Sequence, residues 1–522
     1  MFGLDNTIIK KMDYKIAIER IVHDINSDFI LAPHYNAIFE HASEELWQLL
    51  KTQLNNGKYN PLLPITIEVP KKSGLTRPGV IFNPIDRLLY QLLIDLMVED
   101  IEIGIDRERV YSNEYDPWSL EPGVMFVSVS SKYDELRNKL TELCNSSTYS
   151  YALVADIACY FERIYQHVLI NILRSTKIEP ELISILEKVL SAHTSKDSHG
   201  IAQGMYPSDI LGNYYLTAFD SYLKSRDVEF IRFVDDYWMF FNNKKQATRT
   251  LTDICNYVRK EGLYLNEHKT RILSTDDLHY EETEIDALFN NAKDELKGLN
   301  INSFGYNFDP FDIDEYEEDI ELKALEELYY KRYEETKLIE KIDKFCLPRF
   351  AAARSNIAIN DALEGLLTHH HLTGVYIKYL RNFIEGNDTI LIKLEEYFLQ
   401  DKLNYDWQIM WILGLFYSSD HIPNDIVMQT YSLLEDNNKS PVIRGLCALI
   451  ASKHGNGPIR RLVRNRYSSE PSSYVKEAIL YSTLHFPSAD DRAACIKAWE
   501  GHSEINKLIV KAMKNTSSIN VV

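Results

Sequence analysis

Residues 229–243, EFIRFVDDYWMFFNN, limit the fold more than any other part of the chain. Two apolar, aromatic-rich runs flank Asp235-Asp236, and such a pattern predicts two strands joined by a tight turn. Adjacent carboxylates between hydrophobic strands are costly without a counter-charge. A divalent cation is the natural partner. Taken alone, the motif also fits a surface hairpin with an acidic tip.

Four further segments bear on that choice. In YSYALVADIACYFERIYQHVL, a strand of small and apolar residues ends at Asp156 and hands over to an amphipathic helix. A carboxylate at a strand end beside the Asp235-Asp236 turn suits a pair of Mg²⁺ ions, typically about 3.5–4 Å apart, one activating a hydroxyl and the other holding a triphosphate. Phe161 follows Asp156 closely, and a ring there would crowd a 2′-hydroxyl. In HGIAQGMYPSDILGNYYL, Gly200, Gln203 and Gly204 form a turn before a helix beginning near Ser208, and glycine lets backbone approach a ligand. EGLYLNEHKTRIL places Lys269 in a short β segment after a helix end at Gly262. KKSGLTRPGVIFNPIDRLLYQ supplies Lys71, Lys72 and Arg77 beside a Gly/Pro turn, expected as a mobile basic loop suited to a triphosphate.

In this order the segments resemble the fingers and palm motifs of reverse transcriptases, over roughly residues 15–274. Asp156-Ile-Ala-Cys-Tyr160-Phe161 resembles motif A, Gly200-Ile-Ala202-Gln203-Gly204 through Ser208 motif B, Phe233-Val234-Asp235-Asp236 motif C, and Gly262 through Lys269-Thr270 motif D. Ala202 stands where the family has Pro, and Met205 where Ser is common. The resemblance implies a two-metal nucleotidyltransferase using Mg²⁺, with Mn²⁺ as an alternative. Asp156 and Asp235 would be metal ligands, with Asp236 in support. Lys269 would protonate pyrophosphate, and Phe161 would be the steric gate. Lys71, Lys72 and Arg77 would hold the triphosphate, while Gln203 and Gly204 would meet the incoming nucleotide or its strand.

The rest of the chain departs from a duplex-gripping polymerase. The formal charge is −20, whereas proteins that neutralise a duplex backbone tend to be basic. Residues 275–320 hold 15 acidic and 2 basic residues. Beyond them the sequence is nearly all helical. Ile443-Arg444 and Val475-Lys476 start similar helices offset by 32 residues, and a related unit starts at Trp407. Paired helices at such a period predict a HEAT-like repeat, and an irregular helical domain is the alternative. The expected architecture is α+β. Fingers and the start of the palm fill 1–145, and a catalytic palm with a ferredoxin-like sheet fills 146–274. An acidic connector over 275–320 and an all-α repeat domain over 321–522 follow, without an evident thumb. The six scattered cysteines suggest neither disulfide nor zinc site. The run His369-His370-His371 reads as a solvated helix end. With no apolar run near ~18 residues and no secretory leader, a cytoplasmic protein without membrane contact is expected.

A palm followed by acidic residues and α-repeats is similar to bacterial defence-associated, abortive-infection reverse transcriptases. That resemblance implies a trimer or hexamer that consumes dNTPs and makes single-stranded DNA, untemplated or covalently primed from a protein hydroxyl, against phage. Two alternatives stand beside it: an RNA-templated reverse transcriptase working with a dedicated noncoding RNA, and a catalytically silent nucleic-acid-binding scaffold.

Overall fold

The computed structural model describes residues 2–25, 29–194, 197–301 and 312–516. At its centre is a four-stranded antiparallel sheet, in the order Glu229–Phe233, Asp236–Phe241, Tyr151–Asp156, Arg271–Ser274. The alternation of strand side chains assigns its faces. Leu153, Ala155, Phe230, Met239 and Phe241 join the main core, whereas Ala152, Val154, Ile231, Trp238 and Phe240 face the other way. That second face is covered by helix Val129–Asn145, through Leu136, Leu140 and Leu143, and by Leu278 of helix Thr275–Ile301. The acidic stretch 275–320 lies partly outside the described residues. Its described part begins as this sheet-covering helix, tied down by Arg137 pairing with Asp286 and by Lys341 reaching Glu284 at 3.8 Å.

The N-terminal helices Tyr14–Ile25, Ser43–Asn55 and Pro84–Asp95 stand where the apolar periodicity puts them. Strands Ile65–Pro70 and Thr76–Ile81 form a separate hairpin. From Asp312 onward every described regular element is helical. Helices Asp406–Ser418, Pro441–His454, Ser473–Ser482 and Glu504–Asn515 touch one another in succession, and helices Asn424–Glu435, Gly457–Ser469 and Ala489–Trp499 alternate with them. Their starts are written in the sequence as side-chain caps. Ser440, Asn456, Ser472, Ser488 and Ser503 each accept from a backbone N–H one turn in. Among the described residues no helix is long and apolar enough to cross a membrane.

The first row of this helical array docks on the N-terminal part. Helix Pro33–His41 packs on Ser473–Ser482 and Glu504–Asn515. The ring of His34 lies 4.4 Å from that of Tyr474, and Trp407 Nε1 donates to the Phe29 carbonyl at 2.7 Å. The Tyr35 hydroxyl donates to Glu477 at 2.8 Å. Burial pushes the Glu477 carboxyl up to about 7, although the Tyr35 hydrogen bond opposes the shift. Burial also keeps neighbouring His34 neutral, so it brings no balancing cation.

The folded state therefore holds the Glu477 proton to higher pH than the unfolded chain, and stability declines as pH rises from the ordinary glutamate value through about 7. Glu477→Gln keeps an acceptor for Tyr35 and removes the ionisation. In urea unfolding it should be more stable than wild type by about 1–3 kcal/mol near pH ~8, with the difference vanishing toward pH ~4. A pH-independent difference would contradict this account.

Candidate active site

Phe233 pairs with Asp236 across the hairpin, so Val234-Asp235 is its two-residue turn. Val234 sits at φ 53°, a left-handed conformation that is adverse for a β-branched residue and costs on the order of 1–3 kcal/mol. Two hydrogen bonds hold it. Its N–H donates to Ser112 Oγ at 2.8 Å, and its carbonyl accepts from Arg232 Nη1 at 2.8 Å. Arg232 is wholly buried; its guanidinium binds Asp220 at 3.0 and 2.7 Å and Asn213 Oδ1 at 2.6 Å. Burial opposes its charge, but Asp220 outweighs that and keeps it protonated. Tyr237 also donates to Asp220, at 2.8 Å. Asn213 and Asp220 belong to helices Tyr206–Tyr215 and Thr217–Ser225, so one cation joins the turn to the segment following Gln203-Gly204. No motif in the sequence marks Arg232. Its only signal was a lone cation inside an apolar strand.

Asp156 and Asp236 face each other in register on adjacent strands. Lys269 Nζ lies 2.9 Å from Asp156 Oδ1 and 3.8 Å from Asp236 Oδ1. Asn266 Nδ2 donates to the other Asp156 oxygen at 2.7 Å. Burial, then Asp156 and Asp236, push the Asp235 carboxyl up to about 7. Asp236 is raised for the same first reason, with Lys269 opposing. Burial works against the charge of Lys269, yet Asp236 and Asp156 hold its pKa above the ordinary lysine value. The structure thus brings Asp156, Asp235, Asp236 and Lys269 together in one crowded anionic corner. Among the described residues no three His, Cys, Asp or Glu side chains converge as a closed metal site. The donor set fits Mg²⁺ all the same, because that ion is commonly held by one or two carboxylates plus substrate phosphates and water, and here a cation already sits between two carboxylates.

The other expected residues make contacts of their own. Lys71 Nζ is 3.3 Å from Cys159 Sγ and 3.4 Å from Glu162. Arg77 lies over the Phe29 ring at 5.1 Å; burial lowers its pKa and Glu162 opposes that. Gly204 has φ 84°, and a Cβ there would stand 2.6 Å from Phe29. Gln203 is half-buried, and among the described residues its carboxamide makes no hydrogen bond. Phe161 is buried, packed edge-on against Tyr160 and so close to Gly212 that a Cβ at residue 212 would stand 3.0 Å from its ring.

Two expectations are corrected. The basic loop does not stand free of the rest of the fold: Lys72 pairs with Glu340 at 2.9 Å and Tyr405 donates to the Gly74 carbonyl at 3.1 Å. Both partners lie far along the chain, beyond the reach of local sequence patterns. Lys72 therefore faces the helical array while Lys71 faces Cys159 and Glu162. Likewise His369–His371 is not a solvated helix end; His370 meets Asn404 at 3.1 Å and His371 meets Glu340 at 3.4 Å.

Residues 69–302 match the family model described as reverse transcriptase (RNA-dependent DNA polymerase). The matched residues include Asp156, Asp235, Asp236 and Lys269. Protein YkfC of Escherichia coli (strain K12) is 24% identical over 211 residues, covering 39% of this chain and 51% of its own length. The chain thus spans about half the length of that curated relative. Among solved structures, telomerase from Candida albicans in complex with a TWJ fragment of telomeric RNA is similar over 69% of this chain and 65% of its own, at 11% identity and a TM-score of 0.30. The corresponding Candida tropicalis complex covers 88% and 68%, at 11% identity and a TM-score of 0.33.

Arg232→Met would leave Asp220 buried without its cation. Breaking a buried pair in this way should cost about 3–5 kcal/mol in urea unfolding. Adding Asp220→Asn should recover part of that loss. A double variant no more stable than the single one would show that Arg232 does not act chiefly through Asp220.

Proposed function

We propose that the chain is a DNA polymerase of the reverse-transcriptase type, adding deoxynucleotides by two-metal catalysis. The observation that carries this reading is the meeting of Asp156, Asp235, Asp236 and Lys269 at one end of the sheet, within the matched reverse transcriptase domain. Divalent cations held there would neutralise the reacting phosphates and lower the pKa of the attacking hydroxyl. Asp156 and Asp235 are the proposed ligands, and Asp236 sustains the negative field. Lys269, freed from Asp156 when cations arrive, would give its proton to the leaving pyrophosphate. Lys71 and Arg77 flank the nucleotide from the hairpin side, with Lys72 reaching it only by leaving Glu340. Gln203 would offer its amide to the base or its strand, and Gly204 brings backbone close. Phe161 would be the steric gate, held in place by Gly212.

We further propose that synthesis yields single-stranded DNA, untemplated or protein-primed, in an anti-phage role. What supports this is the order of parts. An acidic helix, where a basic clamp would otherwise follow, repels a duplex backbone. The alternating helices of the C-terminal half also suit a HEAT-like array, able to guide a strand or assemble copies into a trimer or hexamer. The family description, RNA-dependent DNA polymerase, supports a second reading, RNA-templated synthesis, for which a dedicated noncoding RNA would be the template. The experiment that tests both is incubation of full-length protein with each labelled dNTP and Mg²⁺, with and without RNase, with products sized before and after proteinase. RNase-insensitive product that shifts on proteinase treatment is the expected outcome. RNase-sensitive synthesis from an added primer would overturn the untemplated mode, and no incorporation at all would leave a silent scaffold.

Asp156→Ala and Asp235→Ala should each lower incorporation by at least ~10²-fold, since either removes a cation ligand or part of the field that stabilises transition-state charge. Thermal unfolding of both variants without metal should match or exceed wild type, because each relieves like-charge crowding. Wild-type incorporation by either would refute the assignment.

A further inference from the structure

A second cleft, of about 400 Å³, opens where the hairpin turn meets the helical array. Lys71, Lys72 and Gly74 line it from the hairpin, and Lys337, Glu340 and His369–His371 from the array. Three lysines face a single glutamate, an unusual balance in a chain of charge −20. That glutamate is over-matched. Lys72 lies 2.9 Å, Lys344 2.8 Å and His371 3.4 Å from Glu340. His371 above all, then Lys344 and Lys72, hold its carboxyl well below the usual range. Lys337 is exposed and, among the described residues, its ammonium makes neither ion pair nor hydrogen bond. His369 shares Nδ1 with Thr368 at 2.9 Å, leaving Nε2 available. The cleft therefore presents several N–H donors and surplus positive charge around a space large enough for more than one phosphate.

We propose that this cleft is a phosphate-binding site, distinct from the carboxylate corner and completed by the helical array. It would take the phosphodiester backbone of a single strand or the polyphosphate of a free nucleotide. Lysine ammonium groups are compact point charges that bind phosphate without demanding one orientation, as a passing strand requires. Lys71 belongs to both places: it lines the cleft and stands 3.4 Å from Glu162 near Asp156. A bound phosphate chain is thereby continuous with the proposed nucleotide site. The choice of a nucleic-acid strand rests on the polymerase reading; the phosphate chemistry does not.

The test is fluorescence anisotropy of full-length protein with labelled oligo(dT), in EDTA so that no metal-dependent chemistry contributes, with inorganic tripolyphosphate as competitor. Lys337→Glu and His369→Glu alter the cleft at positions outside the core. Lys177→Glu is an exposed control with the same charge change as Lys337→Glu. Each cleft variant should weaken binding by ~10-fold and flatten its salt dependence, with the control within ~2-fold of wild type. Displacement of oligo(dT) by tripolyphosphate supports one shared site. Lys337-dependent binding of tripolyphosphate without binding of oligo(dT) assigns the site to free polyphosphate. Equal effects of Lys337→Glu and Lys177→Glu, or no binding of either probe, overturn the proposal. A protein that never incorporates dNTPs yet keeps Lys337-dependent binding would sink the polymerase reading and leave this one standing.

Discussion

The buried guanidinium of Arg232 carries the turn on which the candidate site is built. The turn combines two unfavourable features, a β-branched residue at positive φ and a carboxylate pair beside a third carboxylate. Neither persists unless surrounding contacts over-determine it. Arg232 does so by bonding the turn's own carbonyl while neutralising Asp220 and orienting Asn213. A buried ion pair is weak evidence of net stability, since desolvation offsets most of the attraction. Its value here is geometric. One cation fixes the hairpin, the helix after Gly204 and, through Ser112, the segment before the palm, so the carboxylates are positioned by three elements at once.

Anionic crowding then defines how the corner responds to ligands. Asp156 and Asp236 hold the Lys269 ammonium between them, and Asp235 is left with the least compensation. Such a site has high affinity for added positive charge and little tolerance for a further carboxylate. Lys71 and Arg77 are compensated separately, by Glu162.

The helical array is part of the site's frame. Trp407, Tyr474 and Glu477 bury the helix and loop that carry Phe29 and Tyr35. Phe29 in turn supports Arg77 and limits residue 204 to glycine. The hairpin turn is pinned by Glu340 and Tyr405. A change in the array therefore reaches the nucleotide side of the palm through packed, hydrogen-bonded contacts. The polar ties at the hairpin turn are an exposed ion pair and one hydrogen bond, each worth about 1 kcal/mol, while strand Ile65–Pro70 packs directly on helices Asp406–Ser418 and Pro441–His454.

The sequence by itself determined the local elements and the chemistry they carry. Alternation in the strands, apolar periodicity in the helices, and the Ser and Asn caps of the C-terminal helices depend on neighbours a few residues apart, and they appear where the patterns put them. Asp156, Asp235 and Asp236 were legible because a carboxylate at a strand end or tight turn between apolar runs has few structural uses, whereas Lys269 stood out only through the resemblance of its segment to motif D. Tertiary structure alone decided what those elements rest against. Arg232 read as one more residue in a strand until Asp220 and Asn213 came beneath it. The acidic segment read as a connector until Leu278 and Arg137 set its first helix against the sheet. Lys72 and the three histidines belong to one cleft only because residues some 270 to 300 positions apart along the chain pack together. Such pairings are set by the burial of whole faces and by charges that meet across them, and no periodicity or spacing within either segment encodes its partner.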